Sequence, residues 1–70
     1  MRRFGEKLRT LRKQQGLSYR ELASQLDVSH GHIVGIEAGR HKPSADFILK
    51  IASLFNVSTD QLMWDDQGLD

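Results

Sequence analysis

The sequence predicts a single all-α domain, and three observations point to that fold class. Apolar residues recur three and four positions apart almost throughout the 70 residues, and no alternating strand pattern is present. The chain has one proline to interrupt helices and no cysteine to cross-link a small core. Four serines, each followed four positions later by an apolar residue, stand where helix starts are expected. We therefore expect a compact bundle of five short helices.

The first helix is predicted over residues 2–14, because Phe4, Leu8 and Leu11 form an apolar stripe that stops near Gly16. At each later start, a serine hydroxyl can accept a hydrogen bond from a free backbone N–H, and the preceding residue packs on the first turn. The four patterns are Leu17-Ser18…Leu22, Val28-Ser29…Ile33, Pro43-Ser44…Ile48 and Val57-Ser58…Leu62. They predict helices over residues 18–26, 29–38, 44–55 and 58–64.

The predicted helix ends include one unusually short connection. Asp27, Gly39 and Asn56 stand where a helix end favours a left-handed residue. Only Asp27 and Val28 lie between the second helix and the serine that caps the third. So short a connection forces a sharp turn between two short helices, which is the helix-turn-helix arrangement.

Charge is unevenly distributed along the chain, although the formal net charge is only +1. Residues 1–42 carry nine Lys and Arg against four Asp and Glu, whereas residues 43–70 carry one Lys against five Asp. Basic charge concentrated in one part of a small domain is typical of a surface that binds a polyanion. A helical surface solvated by water is the alternative interpretation. We assign residues 1–64 to the domain and residues 65–70 to an acidic C-terminal tail.

Several function classes find no support in the sequence. No apolar run approaches the roughly 20 residues of a membrane span, and the lack of cysteine excludes thiolate metal sites. His30 and His32 are two positions apart on a helix, so they do not share a face and form a poor chelate. No phosphate-binding glycine loop or nucleophile motif is present, and we expect Asp65 and Asp66 to be solvated. We expect a cytoplasmic protein with no enzymatic activity, metal or cofactor.

The chain resembles the lambda-repressor-like, or XRE-type, family of helix-turn-helix DNA-binding domains from about residue 4 to residue 64. The matching elements are Leu22-Ala23, Val28-Ser29, Ile33, Ile36-Glu37-x-Gly39, Lys42-Pro43-Ser44, Ile51-Ala52 and Val57-Ser58. This ordered set across four helices is more specific than a lone helix-turn-helix match. The resemblance implies a compact five-helix lambda-repressor-like fold in which the second and third helices form the motif.

The resemblance also implies which residues meet double-stranded DNA. In that family the third helix lies in the major groove, and its N-terminal residues face base edges. It places His30, Gly31, Val34 and Gly35 toward the bases. It places a second set along the sugar-phosphate backbone: Ser18, Tyr19, Arg20, Ser29, His32, Arg40, His41 and Lys42. Because glycine costs helix stability, we expect the two glycines to leave the helix bare for close approach of its backbone to the groove.

Alternative interpretations remain for part of this set. Tyr19 could cover the edge of the core, and Arg40 and Lys42 could be solvated loop charges. The resemblance also pairs Glu37 with Arg12 of the first helix, which would lock the third helix to the first.

The C-terminal helix raises the question of self-association. Leu62, Met63 and Trp64 follow one another on a predicted helix too short to bury all three, and an exposed apolar pair often marks an association site. The resemblance places a homodimer interface at these three residues. A tryptophan folded back over the core is the alternative.

The sequence therefore predicts a sequence-specific DNA-binding transcriptional regulator, a repressor that binds as a homodimer. The alternative is a protein-interaction module of antitoxin or anti-repressor type, in which the same fold binds a partner protein. The bare third helix favours the alternative, and the basic residues near it oppose it.

Overall fold

The computed structural model describes residues 1–69, which form five α-helices. These are α1 (Phe4–Gln14), α2 (Tyr19–Leu26), α3 (His30–Glu37), α4 (Ala45–Phe55) and α5 (Thr59–Met63). The all-α prediction with five helices is confirmed for the described residues. Asp70, the last residue of the predicted tail, lies outside them.

Serine caps begin helices α2 to α5. Ser18, Ser29, Ser44 and Ser58 each have an extended backbone and accept a hydrogen bond from the N–H three residues later. In α2 and α5 the capping is reciprocal, because the side chains of Glu21 and Gln61 accept from the serine N–H at 2.9 Å. The serine itself lies outside the helix, so each helix begins one residue after its predicted start.

The helix ends follow the predicted left-handed positions. Asp27 and Asn56 have φ values of 57° and 55°, and Gly39 has a φ of 80°. The predicted start of the first helix at residue 2 is wrong, because α1 begins at Phe4. The predicted third and last helices are each one residue too long at the C-terminal end, because α3 ends at Glu37 and Trp64 has an extended backbone.

The core lies where the five helices meet. Its twelve apolar side chains are Phe4, Leu8, Leu11, Leu22, Ala23, Leu26, Ile33, Ile36, Phe47, Ile48, Ile51 and Leu62. Helix α3 packs against α1 and α2, and α5 packs against α1 and α4. One side of α3 is therefore held inside the domain while its N-terminal turn reaches the surface.

Close packing of α1 on the C-terminal end of α3 depends on Gly5. A Cβ atom at this position would lie 2.5 Å from the carbonyl oxygen of Ile36 and 2.7 Å from that of Glu37. Both neighbours are backbone atoms, which cannot rotate away as a side chain can. Gly5 therefore sets the distance between α1 and α3, a role that the sequence pattern did not reveal.

Candidate nucleic-acid interface

The N-terminal turn of α3 is exposed and capped. The Ser29 hydroxyl accepts a hydrogen bond from the His32 N–H at 3.2 Å. His30 and Gly31 are both exposed, and a Cβ atom at Gly31 would meet no atom within 4 Å. The remaining free N–H groups and the helix dipole make such a turn weakly positive. The backbone of α3 is accessible here, as the sequence led us to expect for Gly31.

The start of α2 lies beside this turn. Arg20 is exposed and lines a shallow depression between α2 and α3 together with Ser29 and His30. The hydroxyl of Ser18 accepts from the Glu21 N–H at 3.0 Å, and the Ser18 N–H donates to the Glu21 carboxylate. That hydrogen bond to the Ser18 backbone lowers the pKa of Glu21. Ser18 therefore keeps only its hydroxyl hydrogen for a phosphate contact.

Tyr19 is half-buried at the edge of the core. Its ring packs against the core, and the guanidinium of Arg12 lies over the ring at 4.1 Å from the centroid. The ring of Tyr19 thus covers the edge of the core, as the alternative interpretation states. Phosphate contact stays a prediction for its hydroxyl alone.

The segment after α3 carries exposed basic side chains. Gly39 turns the chain, and the N–H groups of Arg40 and His41 both donate to the carbonyl oxygen of Gly35, at 2.8 and 3.2 Å. Arg40 and Lys42 are exposed, and within residues 1–69 neither forms an ion pair. Their positive charge is therefore available to a bound anion, beside the last turn of α3.

Gly35 differs from the sequence expectation. It is buried, and a Cβ atom at Gly35 would fall within the imidazole of His41, 2.6 Å from Nε2. His41 stacks on His32, with ring centroids 6.0 Å apart, and His32 meets the buried ring of Phe47 edge-on at 5.6 Å. Gly35 is therefore covered rather than bare, because the loop folds back onto α3. His32 and Val34 are half-buried, so neither is a fully free contact group.

The Arg12–Glu37 pair expected from the resemblance is present and buried. The Nε of Arg12 donates to Oε2 of Glu37 at 2.8 Å, and its Nη2 donates to Oε1 at 3.2 Å. The third guanidinium nitrogen donates to the carbonyl oxygen of Leu17 at 2.8 Å. The hydrogen bond to Glu37 raises the pKa of Arg12, so the guanidinium stays charged. This pair joins α1 to the C-terminal end of α3.

A second basic residue is buried inside the domain. Lys7 is 3 % exposed, and its Nζ donates to three carbonyl oxygens near the end of α5, those of Gln61, Trp64 and Gln67. Lys7 stands three residues after Phe4 and next to Leu8, on the apolar stripe of α1, which was the signal for its burial. The basic half of the sequence therefore contributes less surface charge than a count of its residues suggests.

Asp65 is also a structural residue, although its side chain stays 37 % exposed to solvent. Its carboxylate accepts hydrogen bonds from the N–H groups of Arg2 and Arg3 at 2.8 to 3.0 Å. The bond to the Arg3 backbone lowers the pKa of Asp65. The carboxylate thus satisfies free N–H groups at the start of α1, although 62 residues separate it from Arg3. Asp66, its neighbour, is exposed.

The three residues assigned to a dimer interface lie in different environments. Leu62 is fully buried in the core, so its assignment to a surface contact is wrong. Met63 is 38 % exposed and Trp64 is 58 % exposed, so Trp64 is not folded over the core. Leu49 on α4 is 60 % exposed and was not singled out from the sequence, although it lies away from the apolar stripe of Phe47, Ile48 and Ile51.

The described residues limit other kinds of site. Within residues 1–69, no group of three or more His, Cys, Asp or Glu could hold a metal ion. None of the helices in this range is long and apolar enough to cross a membrane. The candidate interface consists of the adjoining turns at the starts of α2 and α3, and of the segment 40–42 beside the last turn of α3.

Comparison with known proteins matches this geometry to a family. A helix-turn-helix family model matches residues 8–62. The HTH-type transcriptional regulator ImmR of Bacillus subtilis is 32 % identical over 64 residues, covering 91 % of this chain and 50 % of ImmR. The chain therefore spans about half the length of that relative.

Two solved proteins have a similar fold. The restriction-modification controller protein C.AhdI from Aeromonas hydrophila superposes with a TM-score of 0.78 at 32 % identity, covering 89 % of this chain and 94 % of C.AhdI. The N-terminal DNA-binding domain of SinR from Bacillus subtilis gives a TM-score of 0.83 at 27 % identity, covering 94 % and 97 %. SinR also matches in a crystal structure in complex with DNA, with a TM-score of 0.77 at 30 % identity, covering 86 % and 97 %.

Proposed function

The chain belongs to the helix-turn-helix family of DNA-binding transcriptional regulators, and on that premise we propose that it is a sequence-specific repressor that binds double-stranded DNA as a homodimer. The observation that carries the proposal is the position of the exposed N-terminal turn of α3. Exposed basic side chains lie near both ends of α3, with Arg20 on α2 beside its N-terminal turn and Arg40 and Lys42 in the segment beside its last turn.

Base reading is assigned to the first turn of α3. His30 is exposed there, and a neutral imidazole offers one donor and one acceptor to base edges. Gly31 has open space around it, so the backbone of α3 can approach the floor of the major groove. A helix presented in this way to the major groove is the docking geometry of the motif.

Phosphate contacts are assigned to exposed residues near the two ends of α3. Arg20, Arg40 and Lys42 supply exposed positive charge, and Ser29 and the hydroxyls of Ser18 and Tyr19 are candidates for neutral contacts. Phosphate contacts orient a protein on the duplex without reading its sequence. In this arrangement one short turn reads the bases, and a larger set of contacts to the DNA sugar-phosphate backbone holds it in place.

Dimerisation is assigned to the exposed residues that end α5. Met63 and Trp64 are adjacent and exposed, and Trp64 is an exposed aromatic side chain at the end of α5. Tryptophan and methionine are enriched at protein interfaces. Two copies joined there would present two α3 helices to half-sites about one helical turn apart or a multiple of it.

Repression is the simplest regulatory result of such binding, since a dimer on a promoter excludes other proteins from the same groove. We place the protein in the cytoplasm, where its operator would be accessible. The SinR complex supports DNA as the partner, because that relative was crystallised with DNA.

Selection of bound sequences from a random duplex pool tests the proposal. We expect enrichment of a site with two related half-sites, and an affinity that falls steeply with salt because bound phosphates release counterions. For variants that remove the charge of Arg40 or Lys42, Lys50→Ala is the matched control, because Lys50 lies on α4 and pairs with Asp46 at 3.5 Å. No enrichment, together with a salt-insensitive complex with a partner protein, would favour the protein-interaction module instead.

Sedimentation of the free protein and of the Trp64→Ala variant tests the dimer separately. We expect the wild-type protein to form a concentration-dependent dimer and the variant to remain a monomer with unchanged helicity. A variant that dimerises as well as the wild type would move the interface away from the end of α5.

A further inference from the structure

The second glycine of α3 differs from the first, because a histidine covers it. Gly35 lies one turn after Gly31 on the side of α3 assigned to DNA, yet only Gly31 has open space around it. At Gly35, the volume of a Cβ atom is already filled by the imidazole of His41. The position therefore presents a ring to the surface, although the helix itself supplies no side chain.

The backbone brings this ring to its place. Gly39, at a φ of 80°, reverses the chain after α3. The N–H groups of Arg40 and His41 then donate to the same carbonyl oxygen, that of Gly35, at 2.8 and 3.2 Å. Two hydrogen bonds to one acceptor fix the start of the segment over the last turn of α3.

Contacts on the inner side hold the ring itself. It stacks on His32 with an interplanar angle of 20°, and His32 stands edge-on to Phe47 at 87°. Phe47 belongs to the core and is 4 % exposed. The row of rings thus runs from the core to the surface, and His41, its outer member, remains exposed.

We propose that His41 is a specificity-determining residue of the α3 surface, and that its imidazole meets the base edges that a side chain at position 35 would otherwise meet. The inference rests on the proposed function, because it requires α3 to lie in the major groove. It gives His41 a role different from that of Arg40 and Lys42. Its partner would be a purine N7 or guanine O6 acceptor, or another base-edge group that one imidazole N–H or nitrogen can reach.

Position 35 and position 41 are coupled in this arrangement. Only glycine at position 35 leaves the His41 ring in the place that it occupies, because the ring fills the space of a Cβ atom. Alanine at that position would displace the ring, whereas removal of the ring would leave room for alanine, which favours the helix. The effect of Gly35→Ala on stability should therefore depend on the residue at position 41.

The first experiment is a double-mutant cycle on thermal stability with Gly35→Ala, His41→Ala and both together. We expect Gly35→Ala to raise the unfolding midpoint in the His41→Ala background, and to lower it or raise it less in the wild type. Gly31→Ala is the matched control, because its open surroundings predict the same rise in both backgrounds. Equal effects of Gly35→Ala in the two backgrounds would show that the ring does not occupy this position.

The second experiment measures binding of the same proteins to the selected duplex and to its single-base-pair variants, at one fixed pH. We expect His41→Ala to lose about fivefold to tenfold in discrimination at one base pair of each half-site, the low end for a base contact. The dependence of affinity on salt should stay unchanged. His41→Gln, which keeps a donor and an acceptor, should retain part of the discrimination.

The outcomes separate this inference from the proposed function. If His41→Ala weakens binding to all duplexes equally and reduces the salt dependence, His41 contacts phosphate and the inference is wrong while DNA binding stands. If discrimination and affinity are both unchanged, His41 lies outside the interface and the inference is again wrong. A wild-type protein that binds no duplex would overturn the proposed function, and the inference with it.

Discussion

The two sides of α3 are built differently. On the inner side, Ile33 and Ile36 are almost fully buried, and Glu37 is locked to Arg12. On the outer side, His30 and Gly31 are exposed to solvent. The inner side is packed inside the domain, whereas the outer side is exposed and its side chains are free to rotate. Substitutions on the inner side should therefore change stability, and those on the outer side should change binding.

Removal of Glu37 should have the largest effect on the inner side. Glu37→Ala leaves the buried guanidinium of Arg12 without its partner, which costs about 3–5 kcal/mol in comparable buried pairs. For a domain of 70 residues, such a loss approaches the whole free energy of unfolding. Urea denaturation of the purified variant measures it.

The control replaces both partners, as Arg12→Met with Glu37→Leu. Because no charge is then left buried, the double variant should recover most of the lost stability. A loss below about 1 kcal/mol in Glu37→Ala, the range of exposed pairs, would mean that the pair does not hold α3 to α1.

Gly5→Ala should come second, because α1 cannot approach the end of α3 once a methyl group meets two backbone carbonyls. We expect a loss of about 1–3 kcal/mol, as for other overpacked sites, despite the helix preference of alanine. Gly31→Ala, on the outer side, should instead gain up to about 1 kcal/mol. Equal effects at the two glycines, measured by the same denaturation series, would remove the distinction between the two sides.

Basic residues beside the outer side should change binding without changing stability. Arg40→Ala and Lys42→Ala should each reduce the slope of log affinity against log salt by about 1, because one phosphate contact is lost. Their unfolding curves should match that of the wild type, since both side chains are exposed. Fluorescence anisotropy with the selected duplex measures the slope. Unchanged slopes would mean that both residues are solvated loop charges without a phosphate contact.

The smallest expected effect concerns Asp65, which joins the two ends of the chain. Its folded-state pKa is lowered by hydrogen bonds to the backbone of Arg3 and Arg2, so its contribution is present above the ordinary value near 4 and is lost as pH falls further. Asp65→Asn should reduce stability slightly at neutral pH and show a weaker acid dependence. Asp66→Asn is the control, and identical acid unfolding of the two variants would contradict the assignment.

Helix positions could be predicted because their causes are local. Each serine cap, such as Ser18 or Ser58, lies within four residues of the groups that it contacts. The left-handed residues Asp27 and Asn56 are likewise set by their own helix ends. The Arg12–Glu37 pair was available only from the family resemblance, since nothing local indicates which carboxylate a buried arginine meets.

The features that could not be predicted depend on how distant segments meet. Asp65 caps the start of α1 across more than 60 residues, and its neighbour in sequence, Asp66, has the same chemistry but no such contact. His41 covers Gly35 because the chain turns back at Gly39. The spacing of the glycines in α3 does not indicate where the chain goes after that turn.

The most direct test of the account is an NMR titration of the 15N-labelled wild-type protein with its selected duplex, following every backbone amide. The account predicts that the largest shifts lie in residues 18–20, 29–35 and 40–42, which form the outer side of α3 and its flanks. Largest shifts around Leu49 on α4, with residues 29–35 unchanged, would contradict it, because DNA would then contact a different face of the domain.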